Sequence, residues 1–308
     1  MEASDARFGL RTMGSSAFHD VIQGDCRTIL PDLADESVDL VVTSPPYNIG
    51  KVYERRVGLD QYLDGQRSVI TECVRLLKPG GSICWQVGNW VKDSEIVPLD
   101  AALFPVFRDL GLKCRNRIVW HFEHGLHSSR RLSGRHETIL WFTKGDHYVF
   151  QLDAIRVPQK YPSKKYFKGP RLGQLSGNPL GKNPGDVWVF PNVKHNHVEK
   201  TDHPCQFPVE LVERLVLSLT NRGGVVLDPF AGVGTTAVAA ALHGRSSICV
   251  ELSKEYCDTT LGRLDAVRAG TIRTRPMDRP VYEPNGKGPA APRPFTQRLL
   301  EQPLKYHT

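Results

Sequence analysis

Residues 225–240 read VVLDPFAGVGTTAVAA. Val225-Val226-Leu227-Asp228 is a short apolar run of strand character. The alanines from Ala237 onward favour helix, and Pro229 to Gly234 form the corner between the two. Glycines at such a corner let the main chain approach a ligand closely. Only Gly232-x-Gly234 is present, without the third glycine of a dinucleotide fingerprint and without a GKS or GKT phosphate loop. The stretch is therefore either a tight strand-to-helix turn or a cofactor corner that makes no demand for a phosphate. The next strand, SSICVEL (246–252), carries Glu251 near its tip. An acid there is placed to accept hydrogen bonds from ribose hydroxyls, although a surface acid before a helix reads the same way. Together the two features describe an α/β fold holding a nucleoside-containing cofactor.

Residues 38–54, VDLVVTSPPYNIGKVYE, hold a second strand end. The run Val38 to Val42 reads as a buried strand. Pro45-Pro46 cannot continue a sheet, because proline donates no ladder hydrogen bond. The chain leaves the sheet stiffly, with Ser44 before the prolines and Tyr47 after them. The Ser44 hydroxyl and the fixed Pro45 carbonyl are two acceptors beside a flat ring, which suits a planar group bearing an NH2. A rigid loop with Ser44 as a local cap is the alternative.

Strands and helices alternate on both sides of these corners, as in an α/β sheet. Val69, Ile70, Cys73, Val74 and Leu77 share one face of a helix over 61–78, stopped by Pro79-Gly80-Gly81. Strands are expected at SICWQVG (82–88), NRIVWHF (116–122) and TILWFTKG (138–145), with a helix within 96–111 started by Pro98 and ended near Gly111. Further helices lie over 208–220 and 253–270, the latter with Ser253 as N-cap. Residues 1–18 read as a loose arm. Residues 269–308, rich in proline, read as an extended or partly disordered tail.

The texture changes between 151 and 200. Residues 156–200 carry nine Lys/Arg against two acids, with Tyr161, Tyr166, Phe167, Trp188 and Phe190 interleaved. A loop-rich stretch this long inside a domain is usually functional, and it reads as a basic insert. It divides the chain into a first half at 19–150 and a second at 201–268.

The totals agree with such a body. The chain has 308 residues, 40% hydrophobic and 24% charged, and a net charge of +7. That content excludes a wholly disordered chain, and the excess of base favours a polyanionic partner. Seven scattered cysteines with no CxxC pair suit reduced thiols in an intracellular protein. No run approaches a membrane span, and MEASDARFGLRTMG has no apolar core of a signal peptide, so a cytoplasmic protein is expected. His121, His124 and His127, with His195, His197 and His203, read as loop histidines, and no metal site is expected.

An ordered set of motifs then resembles the DNA amino-methyltransferases, which use S-adenosylmethionine to methylate the exocyclic amine of adenine or cytosine. TSPPYN (43–48) resembles the family's catalytic motif. HPCQFPVELVERL (203–215), LDPFAGVGTTAVAA (227–240) and CVELSKEYCD (249–258) resemble its cofactor segments. VIQGDC (21–26), LLKPGGSICWQVGN (76–89), RHETILWFTKG (135–145) and KNPGDVWVFPNV (182–193) resemble further family segments. The match covers roughly 20–265. Its order, catalytic motif before cofactor loop with a basic insert between, resembles the circularly permuted β group.

The resemblance implies a Rossmann-like, mostly parallel seven-stranded sheet with helices on both faces. It implies S-adenosylmethionine as cofactor and double-stranded DNA as partner, with a restriction endonuclease and a homodimer as further associations. Ser44, Pro45, Pro46 and Tyr47 would act on the target base. Gly232, Gly234 and Phe230 would shape the methionine pocket, with Asp228 nearby among the cofactor residues and Thr235 opening the following helix. His203 and Phe207 would line the methionine side, with Pro204 and Pro208. Glu251 would hold the ribose and Asp25 would approach the adenine. Lys164, Lys165, Lys168 and Arg171 of the insert, with Arg130 and Arg131, are expected at DNA phosphates, and Arg171, Gln174, Asn178 and Asn183 are candidate base readers. Ser before Pro-Pro leans toward cytosine N4, with adenine N6 as the alternative. An inert DNA-binding relative and an RNA or small-molecule methyltransferase are the readings from other classes.

Overall fold

The computed structural model describes residues 6–11, 17–50, 56–123, 125 and 127–277. In chain order its elements are β1 (Ala6–Arg11), β2 (Phe18–Gln23), α1 (Cys26–Ile29), β3 (Val38–Thr43), α2 (Leu59–Leu76), β4 (Leu77–Val87), β5 (Asn89–Lys92), β6 (Glu95–Pro98) and α3 (Leu99–Asp109). There follow β7 (Lys113–His121), β8 (His136–Thr143), β9 (Val187–Val189), α4 (Val209–Leu219), β10 (Val225–Asp228), α5 (Thr235–Leu242), β11 (Ser246–Glu251) and α6 (Lys254–Arg268).

One sheet runs β1-β2-β11-β10-β3-β4-β8-β7-β9. The strands β2, β11, β10, β3 and β4 are parallel, whereas β8 is antiparallel to both of its neighbours. These seven strands from β2 to β7 form the expected mostly parallel sheet. One strand is added at each edge. β1 pairs antiparallel with β2, so residues 6–11 are part of the sheet and not of a loose arm. β9, from within the basic insert, pairs parallel with β7.

The apolar runs are continuous because both sheet faces are covered. Successive side chains point to opposite faces. Val41, Ile83, Trp85, Leu140 and Phe142 pack toward α2 and α3. Leu40, Val42, Cys84, Ile139 and Trp141 pack toward α4 and α5. Trp85 is fully buried, edge-on to Phe107 at 5.9 Å and to Phe230 at 6.1 Å. Burying a side chain of this size contributes about 1.5–3 kcal/mol.

Several local expectations change. Helix α2 ends at Leu76, and the chain enters β4 at once, so Pro79-Gly80-Gly81 lies inside a strand. Gly80 takes φ +80°, and a Cβ there would meet the His147 carbonyl oxygen at 2.3 Å. Residues 95–98 pair with 89–92 as a hairpin, and α3 begins at Leu99 with Pro98 as its N-cap, in keeping with the expected start at Pro98.

The insert is partly core. Trp188 and Phe190 are 5% and 2% exposed, which removes them from any DNA-facing surface. The Arg214 guanidinium lies 5.0 Å and 4.5 Å from their ring centres, and the Trp120 indole donates to the Phe190 carbonyl at 2.9 Å. The start of the expected tail is also anchored. Arg275 is buried; its guanidinium pairs with Glu210 and its amide donates to Glu199 at 2.9 Å. The rest of that tail, from 278 onward, lies outside the described residues.

Candidate active site

Strands β3 and β10 are 185 residues apart in sequence at Thr43 and Asp228, yet are sheet neighbours with Leu227 opposite Val41. Their carboxyl ends therefore place the Ser-Pro-Pro corner and the glycine corner side by side. Ligands of open α/β sheets bind outside such strand ends. Here the two corners open on one cavity of about 590 Å³. That volume falls within the usual range for small-molecule sites.

Asp25, Ser44, Pro45, Pro46, Tyr47, His203, Phe207, Phe230, Gly232, Thr235 and Glu251 all line the cavity. Asp228 and Gly234 do not. Asp228 is fully buried, and its carboxylate accepts from Thr43 Oγ1 and Thr236 Oγ1, each at 2.6 Å, and from the Phe230 amide at 3.1 Å. Burial raises its pKa to about 6 against the pull of these donors. Gly234 takes φ +71°, and a Cβ there would sit 2.2 Å from Thr260 Cγ2. Both residues build the corner from behind. Pro204 and Pro208 lie off the cavity too, and Pro208 is the N-cap of α4.

Glu251 is wired into the glycine corner. Its Oε2 accepts from the Gly232 amide and its Oε1 from the Ser253 amide, each at 2.8 Å. Burial raises its pKa, and the two amides oppose that rise. A carboxylate oxygen accepts two hydrogen bonds, so each keeps a lone pair for a ligand hydroxyl. Gly232 takes φ +51°, and a Cβ there would approach His203 Nε2 at 3.3 Å. The His203 ring packs edge-on to Tyr256 at 4.8 Å, and its Nδ1 accepts from the Cys205 amide at 3.2 Å. Burial first and the Lys200 ammonium second lower its pKa to about 4, so the ring is neutral at pH 7. Asp25 caps α1, and hydrogen bonds from Arg27 hold its carboxyl below the usual range.

At the other corner, Tyr62 Oη donates to the Pro46 carbonyl at 3.0 Å. Asn48, at φ +60°, clamps the loop by exchanging two 2.8 Å hydrogen bonds with the Val57 backbone. Ser44 Oγ lies 2.9 Å from Tyr47 Oη, which donates to Glu137 Oε2 at 3.2 Å. Burial raises the pKa of Tyr47 well above its usual value, and the Glu137 carboxylate adds to it.

Sequence reasoning missed Tyr62, Gln66, Glu137 and Tyr256. Tyr62 and Gln66 continue the buried face of α2 toward its N-terminus, Tyr62 seven and eight residues and Gln66 three and four residues before Val69 and Ile70, and that periodicity was the available signal. Gln66 lines the cavity, and its buried Oε1 has no hydrogen-bond partner among the described residues. A bound ligand with an NH or OH donor would satisfy it.

None of the six expected DNA-contacting residues lines the cavity. Arg130 and Arg131 are exposed on the loop before β8. Lys164, Lys165, Lys168 and Arg171 are exposed together on a finger of the insert, where Lys165 bridges Leu175 and the Tyr166 amide donates to Gln174 at 3.0 Å. Phe167 stands at its tip, 80% exposed. Among the described residues no three His, Cys, Asp or Glu side chains gather as a metal site, and no helix is long and apolar enough to cross a membrane.

Comparison with known proteins decides the family. The family model described as DNA methylase matches residues 38–261. The chain belongs to the DNA methylase family. The methylase is 56% identical over 239 residues to the type II methyltransferase M.BglII of Bacillus subtilis, a match covering 77% of this chain and 66% of that one, just under two thirds of its length. It is 35% identical over 251 residues to the DNA adenine methyltransferase YhdJ of Escherichia coli K12, covering 80% and 82%. Among solved structures it resembles the putative DNA modification methylase TTHA0409 of Thermus thermophilus complexed with S-adenosyl-L-methionine. The TM-score is 0.54 at 31% identity, over 80% of this chain and 94% of that one.

Proposed function

We propose that this methylase transfers a methyl group from S-adenosylmethionine to the exocyclic amine of a base flipped from duplex DNA, cytosine N4 ahead of adenine N6. The observation that carries the reading is the shared cavity, with Ser44 and Tyr47 on one wall and Gly232 and Glu251 on another. The residues fit the cofactor. Glu251 offers acceptors to a vicinal diol, Gln66 an unsatisfied acceptor to a donor group, and Phe207 and Phe230 apolar walls. When bound, S-adenosylmethionine supplies a methyl group made electrophilic by its sulfonium.

The chain's own task is to present the amine. An exocyclic amine is a weak nucleophile because its lone pair is delocalised into the ring. Ser44 Oγ and the Pro45 carbonyl would accept its two N–H bonds, which favours a pyramidal nitrogen with an aimed lone pair. Tyr47 would stack on the base, and such stacking contributes about 1–3 kcal/mol. Positioning and fixed dipoles would supply most of the acceleration. A base inside a duplex is out of reach and must be extruded. The finger's Lys164, Lys165, Lys168 and Arg171, with Arg130 and Arg131, would hold phosphates, which gives affinity without sequence reading. On this reading the protein works in the cytoplasm at the nucleoid, with a restriction endonuclease of the same site and a homodimeric state as further expectations.

Adenine N6 stands as the second reading because of the likeness to an adenine methyltransferase. Incubation with labelled S-adenosylmethionine and duplex DNA, then hydrolysis and mass spectrometry, should yield N4-methylcytosine. N6-methyladenine alone would overturn the choice of base. Labelling of RNA or small amines in preference to DNA would overturn the substrate, and DNA binding with no cofactor binding in calorimetry would leave an inert DNA-binding protein.

A further inference from the structure

Beneath the Ser-Pro-Pro-Tyr corner lies a buried polar chain that the reading above does not use. Tyr47 Oη donates to Glu137 Oε2 at 3.2 Å, and the Gln86 side-chain amide donates to the same oxygen. Glu137 comes from β8 and Gln86 from β4, adjacent strands with Gln86 opposite Ile139. Gly88 leaves the space both side chains occupy: a Cβ there would stand 3.2 Å from Tyr47 Cε2 and 3.3 Å from Glu137 Oε1.

With the Glu137 carboxyl ionised, the protons in this chain have one arrangement. Burial raises the pKa of Glu137 and the hydrogen bonds from Tyr47 and Gln86 oppose that rise; in the ionised carboxylate Oε2 accepts both. A phenol has a single O–H, and Tyr47 spends it on Glu137. The 2.9 Å contact between Tyr47 Oη and Ser44 Oγ must then be donated by Ser44. The serine's only proton is thereby turned away from the cavity that Ser44 lines, and its lone pairs are left to face it.

We infer that Glu137 is a positioning residue that fixes Ser44 as a hydrogen-bond acceptor toward the target base, through Tyr47. The inference rests on the proposed methyl transfer to a base amine. It adds a specificity rule: an amine is accepted at that position and a keto oxygen is rejected. Without the carboxylate, the Tyr47 hydroxyl is free to donate to Ser44, and Ser44 can then turn its proton into the cavity. A buried acceptor that meets another acceptor leaves both unsatisfied, which is why sites of this kind discriminate strongly.

The test uses the full chain and duplexes carrying its methylation site, with the target base either intact or replaced by its keto counterpart, uracil for cytosine or hypoxanthine for adenine. Binding is measured in the presence of cofactor. The wild type should bind the amine duplex at least tenfold more tightly than the keto duplex. Glu137→Met, which fills the space without an acceptor, should bring that ratio close to one and lower kcat, with cofactor affinity unchanged. Glu137→Gln can return a carbonyl oxygen to the same place and should restore most of the ratio.

An unchanged ratio in folded Glu137→Met overturns the inference. So does a Glu137→Gln variant as defective as Glu137→Met, because the charge and not the acceptor would then matter. If Glu137→Met does not fold, Tyr47→Phe breaks the same chain and should collapse the ratio; an intact ratio there overturns the inference equally. Failure of the wild type to methylate any amine in DNA would instead defeat the proposed function, so the two failures are separable.

Discussion

Thr43 Oγ1 donates to Asp228 Oδ1 at 2.6 Å, joining the last residue of β3 to the last residue of β10. Both residues are fully buried. Thr236 and the Phe230 amide complete the shell of the carboxylate. The two chemical corners of the site are thus fastened to each other under the cavity floor, across the permuted chain.

Removing the fastening should be felt in the fold before the chemistry. Thr43→Val keeps the shape and deprives Asp228 of one buried donor. We expect a loss of about 1–3 kcal/mol, read from denaturant unfolding with an unchanged m-value. Wild-type stability in that variant would remove Asp228 from its structural role.

Glu251 offers a different separation. Glu251→Gln must point its NH2 at either the Gly232 or the Ser253 amide, two donors facing each other. Affinity for S-adenosylmethionine should fall by about tenfold or more, about 1.4 kcal/mol, in calorimetry. A variant that binds the cofactor normally would count against the ribose assignment.

The two glycines of the corner should fail in different ways. Gly234→Ala puts a Cβ into Thr260 at positive φ, so thermal stability should drop, by about 1–3 kcal/mol. Gly232→Leu points into the cavity against His203, so it should abolish cofactor binding at a smaller cost to the fold. Reversal of these outcomes, seen by calorimetry and melting together, would exchange the roles assigned to them.

Tyr47→Ala should cost about 1–3 kcal/mol in kcat/KM through lost stacking on the target base. Turnover equal to the wild type would contradict the stacking role.

His203 gives a pH test. Its folded pKa, about 4, lies below its ordinary value of 6.5. As pH falls through 6.5 the unfolded chain takes up a proton that the folded chain refuses, so His203 lowers stability progressively until pH reaches about 4. Unfolding free energies of the wild type and His203→Gln, compared from pH 7 to 4, should show the wild type losing ground in that window. A constant difference would show that the ring titrates normally.

The strands that carry the site were legible because both faces of the sheet are covered, so Leu40–Val42 and Val225–Leu227 read as unbroken apolar runs. The two corners were legible through the ordered set of motifs around them, since Gly232-x-Gly234 alone also reads as a tight strand-to-helix turn and Pro45-Pro46 alone as a rigid loop. Other residues were hidden for physical reasons. Trp188 and Phe190 sit among Lys, Gly and Pro, and only the β7–β9 pairing shows that they belong to the core. Glu137 stands in the polar start of β8, His136-Glu137-Thr138, and its meeting with Tyr47 depends on strand order. Asp228 read as a ligand-facing acid because the sequence does not show Thr43 and Thr236 converging on it.

The basic insert closes on itself at a narrow neck. Val157 and Lys182 exchange both backbone hydrogen bonds, at 3.0 and 2.9 Å, while Trp188 beyond the neck is held in the sheet. The residues between 157 and 182 therefore form a cassette whose two ends are fixed to each other. On the proposed reading of the insert as the DNA-contacting module, this bridge is where one finger could be exchanged for another while β9 keeps its place beside β7.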